Sequence, residues 1–316
     1  MDGSRMKDRL VTLVGGGGFI GRYVAQALLA AGARVRVAER DPRDAWFLKP
    51  LGGLGQTQFV AADVTRPETI ARAVAGADMV VNLAGSFTGD LRRIHVDGAR
   101  SVAEAAARSG VEALVHVSAI GADADSPSVY ASTKGAGEVA VRAAFPNATI
   151  VRPATVFGRE DQFINRFAGM IARFPVVPVL RARARFQPVF VGDVAAAIVA
   201  ALGAPARSGG HVYELGGPDV LTMEELHRWI AQAIGRDPAM PALPDIAGRA
   251  IAALGFLPGA PITADQWKLL QRDTVVAPGA EGLAALGVTP TPLAAVAPGW
   301  LVRYRRAGRF AVAVKG

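Results

Sequence analysis

The chain has no cysteine and only four histidines among its 316 residues. The absence of cysteine excludes disulfides, thiolate metal ligands and a cysteine nucleophile. The histidines are His95, His116, His211 and His227, and no two of them have the H-x-x-x-H spacing of metal ligands on one helical face. The sequence therefore predicts a protein without a metal centre.

Long hydrophobic runs are also lacking. A membrane-spanning helix needs roughly 18 consecutive apolar residues, and the longest candidate run, residues 194–202, is about half that length. The N-terminal residues 1–10 are polar and charged and contain no apolar segment of a signal peptide. We therefore expect no transmembrane helix and no signal peptide. The expected location is the cytoplasmic or matrix-equivalent side, soluble or peripherally associated with a membrane.

Positive charge exceeds negative charge, because 35 Lys and Arg residues face 27 Asp and Glu residues and give a formal net charge of +8. The arginines are scattered except for a cluster at residues 303–309. No aromatic residues are interleaved with them in a pattern for base stacking, so no nucleic-acid partner is predicted. Trp300, Leu301, Tyr304 and Phe310 accompany the basic cluster. This combination predicts peripheral contact with a membrane or protein surface, and the alternative is a solvated basic tail.

The first half of the chain alternates β-branched runs with alanine-rich helical patterns. This alternation predicts an α/β fold with a Rossmann-like, doubly wound parallel sheet. Residues 1–160 are predicted to form the dinucleotide-binding domain, its sheet completed by later strands such as 186–191. Residues 161–316 are predicted to form a smaller C-terminal α/β part that faces substrate or partner. The predicted strands of the first half begin at Leu10, Arg34, Thr57, Asp78, Ala113 and Ala148.

Glycine is concentrated directly after the first predicted strand. Gly15, Gly18 and Gly21 form a G-x-x-G-x-x-G motif between that strand and a predicted helix. In this context one glycine allows the tight turn, one lets a pyrophosphate approach the backbone, and one lets the helix pack closely on the strand. The helix would begin at Phe19 and Ile20, whose N–H groups would face the phosphates. The motif therefore predicts a dinucleotide site.

The ends of the other strands predict the rest of this site. Glu39 is placed to bond a ribose 2′-hydroxyl, which favours NAD(H), and Arg40 is placed to pair with a 2′-phosphate, which favours NADP(H). The alternative is a solvated strand end. Asp63 and Val64 are predicted beside the adenine ring. The remaining strand-end residues predicted to line the cofactor are Leu83, Ala84, Gly85 and Pro153.

Five motifs occur in an order that resembles the short-chain dehydrogenase/reductase superfamily, of its extended or atypical kind. They are G-G-G-G-F-I-G, A-D-V, N-L-A-G, Y-A-S-T-K and R-P-A-T-V-F-G, between Leu10 and Gly217. The resemblance implies that Tyr130 is a general acid or base. It also implies that Lys134 lowers the pKa of that phenol and holds the nicotinamide ribose. Ser118 is the candidate third catalytic group, or else a strand-end serine whose hydroxyl bonds the backbone.

Two features depart from the catalytic pattern of that superfamily. The position that normally carries the catalytic hydroxyl is Ala119, one residue after Ser118. The segment between Ser118 and Tyr130 is also shorter than in extended members, where it helps to build a substrate pocket.

A narrower resemblance covers nearly the whole chain. The segments "FLKPLGGLGQTQFVAADV" and "FGRED" followed by Asn165 are similar to the nucleotide-binding accessory subunits of respiratory complex I and their bacterial relatives. This resemblance implies a tightly held, structural NADP(H) or NAD(H) and a protein partner in a membrane-associated respiratory complex. Of the two nucleotides, we expect NADP(H). The sequence departs from that group by keeping Tyr130 and Lys134 together and by placing Glu39 before Arg40.

Three functions therefore follow from the sequence. The first is an accessory or assembly subunit of a respiratory NADH:quinone oxidoreductase. The second is an NAD(P)-dependent reductase, dehydrogenase or sugar-nucleotide epimerase that uses Tyr130 and Lys134. The third is a redox-sensing regulator that binds the nucleotide and a protein partner without turnover.

Overall fold

The structure, a computed structural model, describes residues 5–256, 262–306 and 308. The strands, in chain order, are β1 Leu10–Val14, β2 Arg34–Glu39, β3 Thr57–Ala61, β4 Met79–Asn82, β5 Ala113–Val117, β6 Thr149–Pro153, β7 Val156–Phe157, β8 Val179–Leu180, β9 Arg185–Phe186, β10 Val189–Phe190, β11 Val212–Leu215, β12 Leu221–Thr222 and β13 Ala242–Leu243. The α-helices are α1 Phe19–Ala30, α2 Pro67–Val74, α3 Ala99–Arg108, α4 Val129–Ala144, α5 Ile164–Arg173, α6 Val191–Gly203, α7 Pro205–Ser208, α8 Met223–Ile234, α9 Asp245–Ala253, α10 Ala264–Leu269, α11 Leu293–Val296 and α12 Pro298–Leu301.

Contacts divide the chain into two units that do not follow a single cut after residue 160. Unit 1 consists of the described parts of residues 1–153, 191–215 and 276–289. Unit 2 consists of the described parts of residues 154–190, 216–275 and 290–316. Within the described ranges, none of the helices is long and apolar enough to cross a membrane.

Seven strands of the described chain form one parallel sheet in unit 1, in the order β11-β6-β5-β4-β1-β2-β3. Strands β4 and β5 are buried along their whole length, and β1 is buried from Val11 onward. Parallel strands covered by helices on both faces need such continuous apolar runs. The order reverses between β1 and β4, which places a crevice at the carboxyl ends of these two strands. The predicted Rossmann-like, doubly wound fold is confirmed.

The strand that completes this sheet differs from the predicted one. The prediction placed residues 186–191 in the main sheet, but β11 pairs with β6 instead. In unit 2, β10 pairs with β7, and β9 pairs with β12. The physical reason is that the valine and phenylalanine run around residue 189 is interrupted by Pro188 and passes into α6 after two paired residues.

Unit 2 has its own apolar core between α5, α8 and the C-terminal helices. Helix α8 begins with a capping box in which the Thr222 hydroxyl accepts from the Glu225 N–H, and the Glu225 carboxylate accepts from the Thr222 N–H. Ile230 of α8 is fully buried with Phe157 and Ile164. The amphipathic pattern of α8 therefore packs this unit internally.

Among the described residues, two members of the predicted C-terminal anchor, Trp300 and Leu301, belong to the core of unit 2. Leu301 is fully buried and the Trp300 ring lies 6.4 Å from the Phe157 ring, so both belong to the core of unit 2. Arg305 donates through its Nε to the carbonyl oxygen of Ala233 at 3.1 Å. Residues 309 and 310 lie outside the described residues.

Candidate functional site

The first element of the site is the glycine-rich turn between β1 and α1. Gly15 has a φ of +83°, in the left-handed region that favours glycine, and its N–H donates to the Ala38 carbonyl at 3.0 Å. A Cβ at Gly21 would lie 2.5 Å from the carbonyl oxygen of Gly16. The fold itself therefore requires glycine at both outer positions of the motif.

Gly18 has a different role, because the protein alone does not need a glycine there. It precedes α1 with extended dihedral angles of φ −71° and ψ −178°. A Cβ at this position would lie 3.4 Å from the Gly15 carbonyl oxygen, an ordinary contact. No described side chain caps the first turn of α1, which starts with Phe19 and Ile20 and has no acidic residue. The N–H groups and the positive end of this helix can therefore receive a phosphate.

The end of β2 carries a carboxylate and a guanidinium side by side. Glu39 Oε1 accepts a hydrogen bond from the Gly17 N–H at 2.6 Å. Burial raises the pKa of Glu39, although this hydrogen bond and the charge of Arg40 act to lower it. Arg40 is exposed and forms no ion pair within the part of the chain that the structure describes. The carboxylate is thus committed to the glycine turn, whereas the guanidinium faces solvent.

The segment after β3 forms a tight turn around Asp63. Its Oδ1 accepts hydrogen bonds from the N–H and from the hydroxyl of Thr65, each at 2.8 Å. Burial acts to raise the pKa of Asp63, but these hydrogen bonds and two nearby arginines lower it overall. Val64 packs closely on the start of α3, since a Cβ at Gly98 would lie 2.9 Å from the Val64 Cβ. This turn is held in one conformation at the edge of the crevice.

The segment after β4 lies directly against the glycine turn. A Cβ on Gly15 would be 3.2 Å from backbone atoms of Leu83 and Ala84. The Ala84 N–H donates to the side-chain oxygen of Asn82 at 3.1 Å, which fixes the exit of the strand. Gly85 follows in an exposed position. The backbones of the two switch-point strands therefore approach each other here, as a dinucleotide-binding crevice requires.

Two buried polar atoms at the end of β5 have no hydrogen-bond partner among the described residues. They are the Ser118 hydroxyl and His116 Nε2. Ser118 is 5% exposed, and its N–H donates to Val151 O at 2.7 Å. Its hydroxyl does not make the local backbone bond considered as an alternative. Burial holds the pKa of His116 well below its ordinary value, so the ring is neutral. Unsatisfied buried groups of this kind fit a bound molecule or water.

Tyr130 lies in the first turn of α4 and is covered by aromatic rings. The Phe87 ring stacks on it with centroids 4.5 Å apart, and the His95 ring meets it edge-on at 5.5 Å. Burial raises the pKa of Tyr130 to about 12, so the phenol is protonated at neutral pH. This shift is opposite to the lowering that the superfamily resemblance implied.

Lys134 is one helical turn further along α4 and is 4% exposed. Its Nζ donates to the carbonyl oxygen of Val117 at 2.7 Å. Burial lowers the pKa of Lys134 to about 8, although the charge of Glu138 acts to raise it. The Lys134 ammonium is therefore hydrogen-bonded to the last residue of β5, which directly precedes Ser118 in the sequence.

The predicted residues all lie at the carboxyl edge of the sheet or at the start of α4. Pro153 ends β6, and its carbonyl accepts from the Ile120 N–H at 3.0 Å. Their catalytic and binding roles stay predictions. In the described residues there is no cluster of three His, Asp or Glu side chains that could hold a metal ion.

Sequence reasoning missed His95, Phe87 and Thr133. His95 lies in a π-helical turn, Arg93–Gly98, before α3 and is 2% exposed. The sequence offers no local signal for these contacts, because a lone histidine in a helical pattern resembles an ordinary core residue.

The fold, the glycine turn and the Tyr130–Lys134 pair together define a Rossmann-type protein of the class that binds nicotinamide dinucleotides. The sequence matches the NAD dependent epimerase/dehydratase family over residues 11–216. The chain belongs to this family.

Individual relatives extend the similarity beyond the family region. The chain is 35% identical over 316 residues to NADH dehydrogenase (ubiquinone) 1 alpha subcomplex subunit 9, mitochondrial, of Arabidopsis thaliana, with 95% of this chain and 79% of the relative covered. It is 35% identical over 243 residues to the ceramide reductase of Caulobacter vibrioides, with 75% of this chain and 74% of the relative covered. The predicted resemblance to complex I accessory subunits is confirmed.

The fold is also found in solved structures. The triphenylmethane reductase of a Citrobacter species superposes with a TM-score of 0.75 at 19% identity, covering 92% of this chain and 99% of that one. At this identity the similarity concerns the fold alone.

Proposed function

We propose that this protein is a dinucleotide-binding accessory or assembly subunit of a respiratory NADH:quinone oxidoreductase, with a mainly structural nucleotide. The observation that carries the proposal is the alignment with the Arabidopsis complex I subunit, which spans 95% of this chain and so includes far more than the nucleotide-binding region. The family model alone matches only residues 11–216, so this alignment extends well beyond it.

The chemistry of the site supports a structural role for the bound nucleotide rather than a role as a reactant. Lys134 is bonded to Val117 O, and Tyr130 lies under the Phe87 ring with its pKa raised to about 12. Burial thus makes this phenol a weaker proton donor than an ordinary tyrosine. The glycine turn, in contrast, offers the uncapped N–H groups at the start of α1 to a pyrophosphate.

The preferred cofactor in this proposal is NADP(H). The Glu39 carboxylate already accepts a hydrogen bond from the Gly17 N–H, so this residue has a structural role that does not depend on binding a ribose. Arg40 is exposed at the same strand end, where a guanidinium would pair with a 2′-phosphate. Both features favour NADP(H) over NAD(H).

Replacing this arginine tests the preference. We expect Arg40→Gln to weaken NADPH binding by about 10-fold, the effect of losing one charge-assisted hydrogen bond at an exposed site, and to leave NADH binding unchanged. Fluorescence titration with both nucleotides measures this. Arg43→Gln is the matched control, because Arg43 is already paired with Asp41 at 2.7 Å. Equal weakening for both nucleotides would argue against a 2′-phosphate contact.

The subunit proposal itself is tested by gentle purification from the membranes of the native host. We expect the tagged protein to co-purify with subunits of the respiratory complex and to release one NADP(H) per chain only on denaturation. Tyr130→Phe should leave both results unchanged. An unattached protein with a freely exchanging nucleotide would contradict the proposal.

A second candidate function is an NAD(P)H-dependent carbonyl reductase. It is favoured by the presence of Tyr130 and Lys134 at the spacing of the superfamily's catalytic pair and by the similarity to the Caulobacter ceramide reductase. In that case Tyr130 would carry the proton at its phenolic oxygen, and Tyr130→Phe would abolish turnover without releasing nucleotide. Oxidation of bound NADPH by long-chain ketones and keto-lipids, absent in Tyr130→Phe, would identify this activity.

A further inference from the structure

His95 is buried where three segments meet, namely its own π-helical turn, the segment after β4 and helix α4. Its π-helical turn packs so closely on α4 that a Cβ at Gly137 would lie 2.1 Å from the His95 carbonyl oxygen. π-helical turns inside helices are frequent at functional sites, because they re-aim a side chain. Here the turn directs the imidazole into the space between α4 and the segment after β4.

Both nitrogens of the His95 ring have partners, and together they determine its tautomer. Nε2 lies 3.1 Å from the Ser86 N–H, which can only donate, so Nε2 is the acceptor. Nδ1 therefore carries the proton and donates to the Thr133 hydroxyl at 2.9 Å. That hydroxyl donates in turn to the Val129 carbonyl at 2.8 Å. Burial, assisted by the charge of Lys134, lowers the pKa of His95 to about 4, which keeps the ring neutral and this pattern intact at neutral pH.

The hydrogen bond to Ser86 determines the position of the next residue. Phe87 is 64% exposed, and one face of its ring stacks on Tyr130 with an interplanar angle of 13°. The Tyr130 ring also meets His95 edge-on at 90°. An exposed phenylalanine gains no burial from its own surroundings, so its ring needs an anchored backbone to stay over the tyrosine.

We propose that His95 is a positioning residue that fixes residues 83–88 against α4 and thereby keeps Phe87 over Tyr130, closing the nicotinamide end of the site. This inference rests on the proposed nucleotide-binding function. It assigns to His95 a role in slowing the release of the bound nucleotide, and it gives a reason for a buried neutral histidine beside Tyr130.

Four variants of the full chain test the proposal. His95→Phe removes both hydrogen bonds and keeps an aromatic ring. His95→Gln restores an acceptor near the Nε2 position. Phe87→Ala removes the covering ring at an exposed position, where folding is not at risk. His227→Phe is the matched control, because His227 is equally buried at 2% exposure but lies in unit 2, bonded to Met223 O.

The first measurement is the dissociation rate of NADPH from loaded protein after dilution. We expect His95→Phe and Phe87→Ala to release NADPH roughly 10-fold faster, as the loss of one net hydrogen bond or ring contact would give. His95→Gln and His227→Phe should stay within about 3-fold of the wild type, by the same scale. Wild-type release from Phe87→Ala, or release from His95→Gln as fast as from His95→Phe, would overturn the proposal.

The second measurement needs no nucleotide. Fluorotyrosine-labelled protein gives one fluorine NMR signal for each of the four tyrosines, and Tyr130→Phe assigns the relevant one. We expect His95→Phe and Phe87→Ala to shift the Tyr130 signal in the same direction, because both remove the ring current of Phe87. An unchanged signal in His95→Phe would overturn the proposal. If the wild type binds no NADPH, the cofactor assignment fails and this measurement still decides the role of His95.

Discussion

A Gly18→Val variant is expected to lose NADPH binding by roughly 100-fold or more while the protein keeps its fold. The valine Cβ would meet only the Gly15 carbonyl oxygen at 3.4 Å, and the extended dihedral angles at residue 18 suit a β-branched residue. The side chain would project into the path of a pyrophosphate and separate it from the first N–H groups of α1. Losing two charge-assisted hydrogen bonds accounts for an effect of this size.

Thermal unfolding and fluorescence titration of the same preparation separate the two effects. Valine is a poorer helix N-cap than glycine, so the free energy of unfolding should fall by only about 1 kcal/mol. Gly18→Ser is the sharper control, because a serine caps the helix and should restore stability while still obstructing the phosphate. Gly21→Ala should instead destabilise the protein, since its Cβ would lie 2.5 Å from Gly16 O. Normal NADPH binding by Gly18→Ser would show that the bound pyrophosphate does not lie against this residue.

The sequence predicted the parts of this molecule that depend on local pattern. Each buried parallel strand is a short apolar run, and the turn at Gly15 needs a positive φ, which favours glycine. Both features can therefore be recognised from a few consecutive residues. Right-handed crossovers predict a sheet that winds in both directions from a switch point, although they did not predict that β11 completes it. The carboxyl edge and its candidate residues could therefore be located without coordinates.

The contacts that define the chemistry could not be predicted, because they join residues far apart in the chain. Glu39 binds the N–H of Gly17, and Lys134 binds the carbonyl of Val117, and no local pattern in the sequence indicates either contact. The Tyr130 pKa moves upward because the phenol is buried. Burial and partner choice depend on tertiary packing, which leaves no periodic signal in the sequence.

An ion network between β6, α4 and β11 could not be predicted from the sequence either, because it also depends on tertiary packing. Arg152 on β6 donates to both oxygens of Glu138 at 2.9 and 2.7 Å, and its other nitrogen lies 3.5 Å from Glu214. The Glu138 and Glu214 side chains are only 8% and 12% exposed. Bidentate geometry and burial make this pair much stronger than a surface ion pair. It also ties α4, which carries Tyr130 and Lys134, to the sheet.

Arg152→Leu is therefore expected to lower the free energy of unfolding by roughly 4 kcal/mol, because it removes the guanidinium that is hydrogen-bonded to both oxygens of the buried Glu138 carboxylate. Chemical denaturation monitored by circular dichroism measures the change. Arg100→Leu is the matched control: Arg100 pairs with Asp97 at the surface, where the loss should be below about 0.5 kcal/mol.

The double variant Arg152→Leu/Glu138→Leu separates the cost of an unpaired charge from the value of the pair. Because two apolar side chains can replace a buried ion pair at little cost, we expect most of the lost stability to return, with Glu214 retained by the Ala277 N–H at 2.9 Å. Glu138 acts to raise the Lys134 pKa, so removing its charge should also lower the pH at which Lys134 loses its proton. A double variant as unstable as Arg152→Leu would mean that packing around the guanidinium, and not its charge, holds α4 to the sheet.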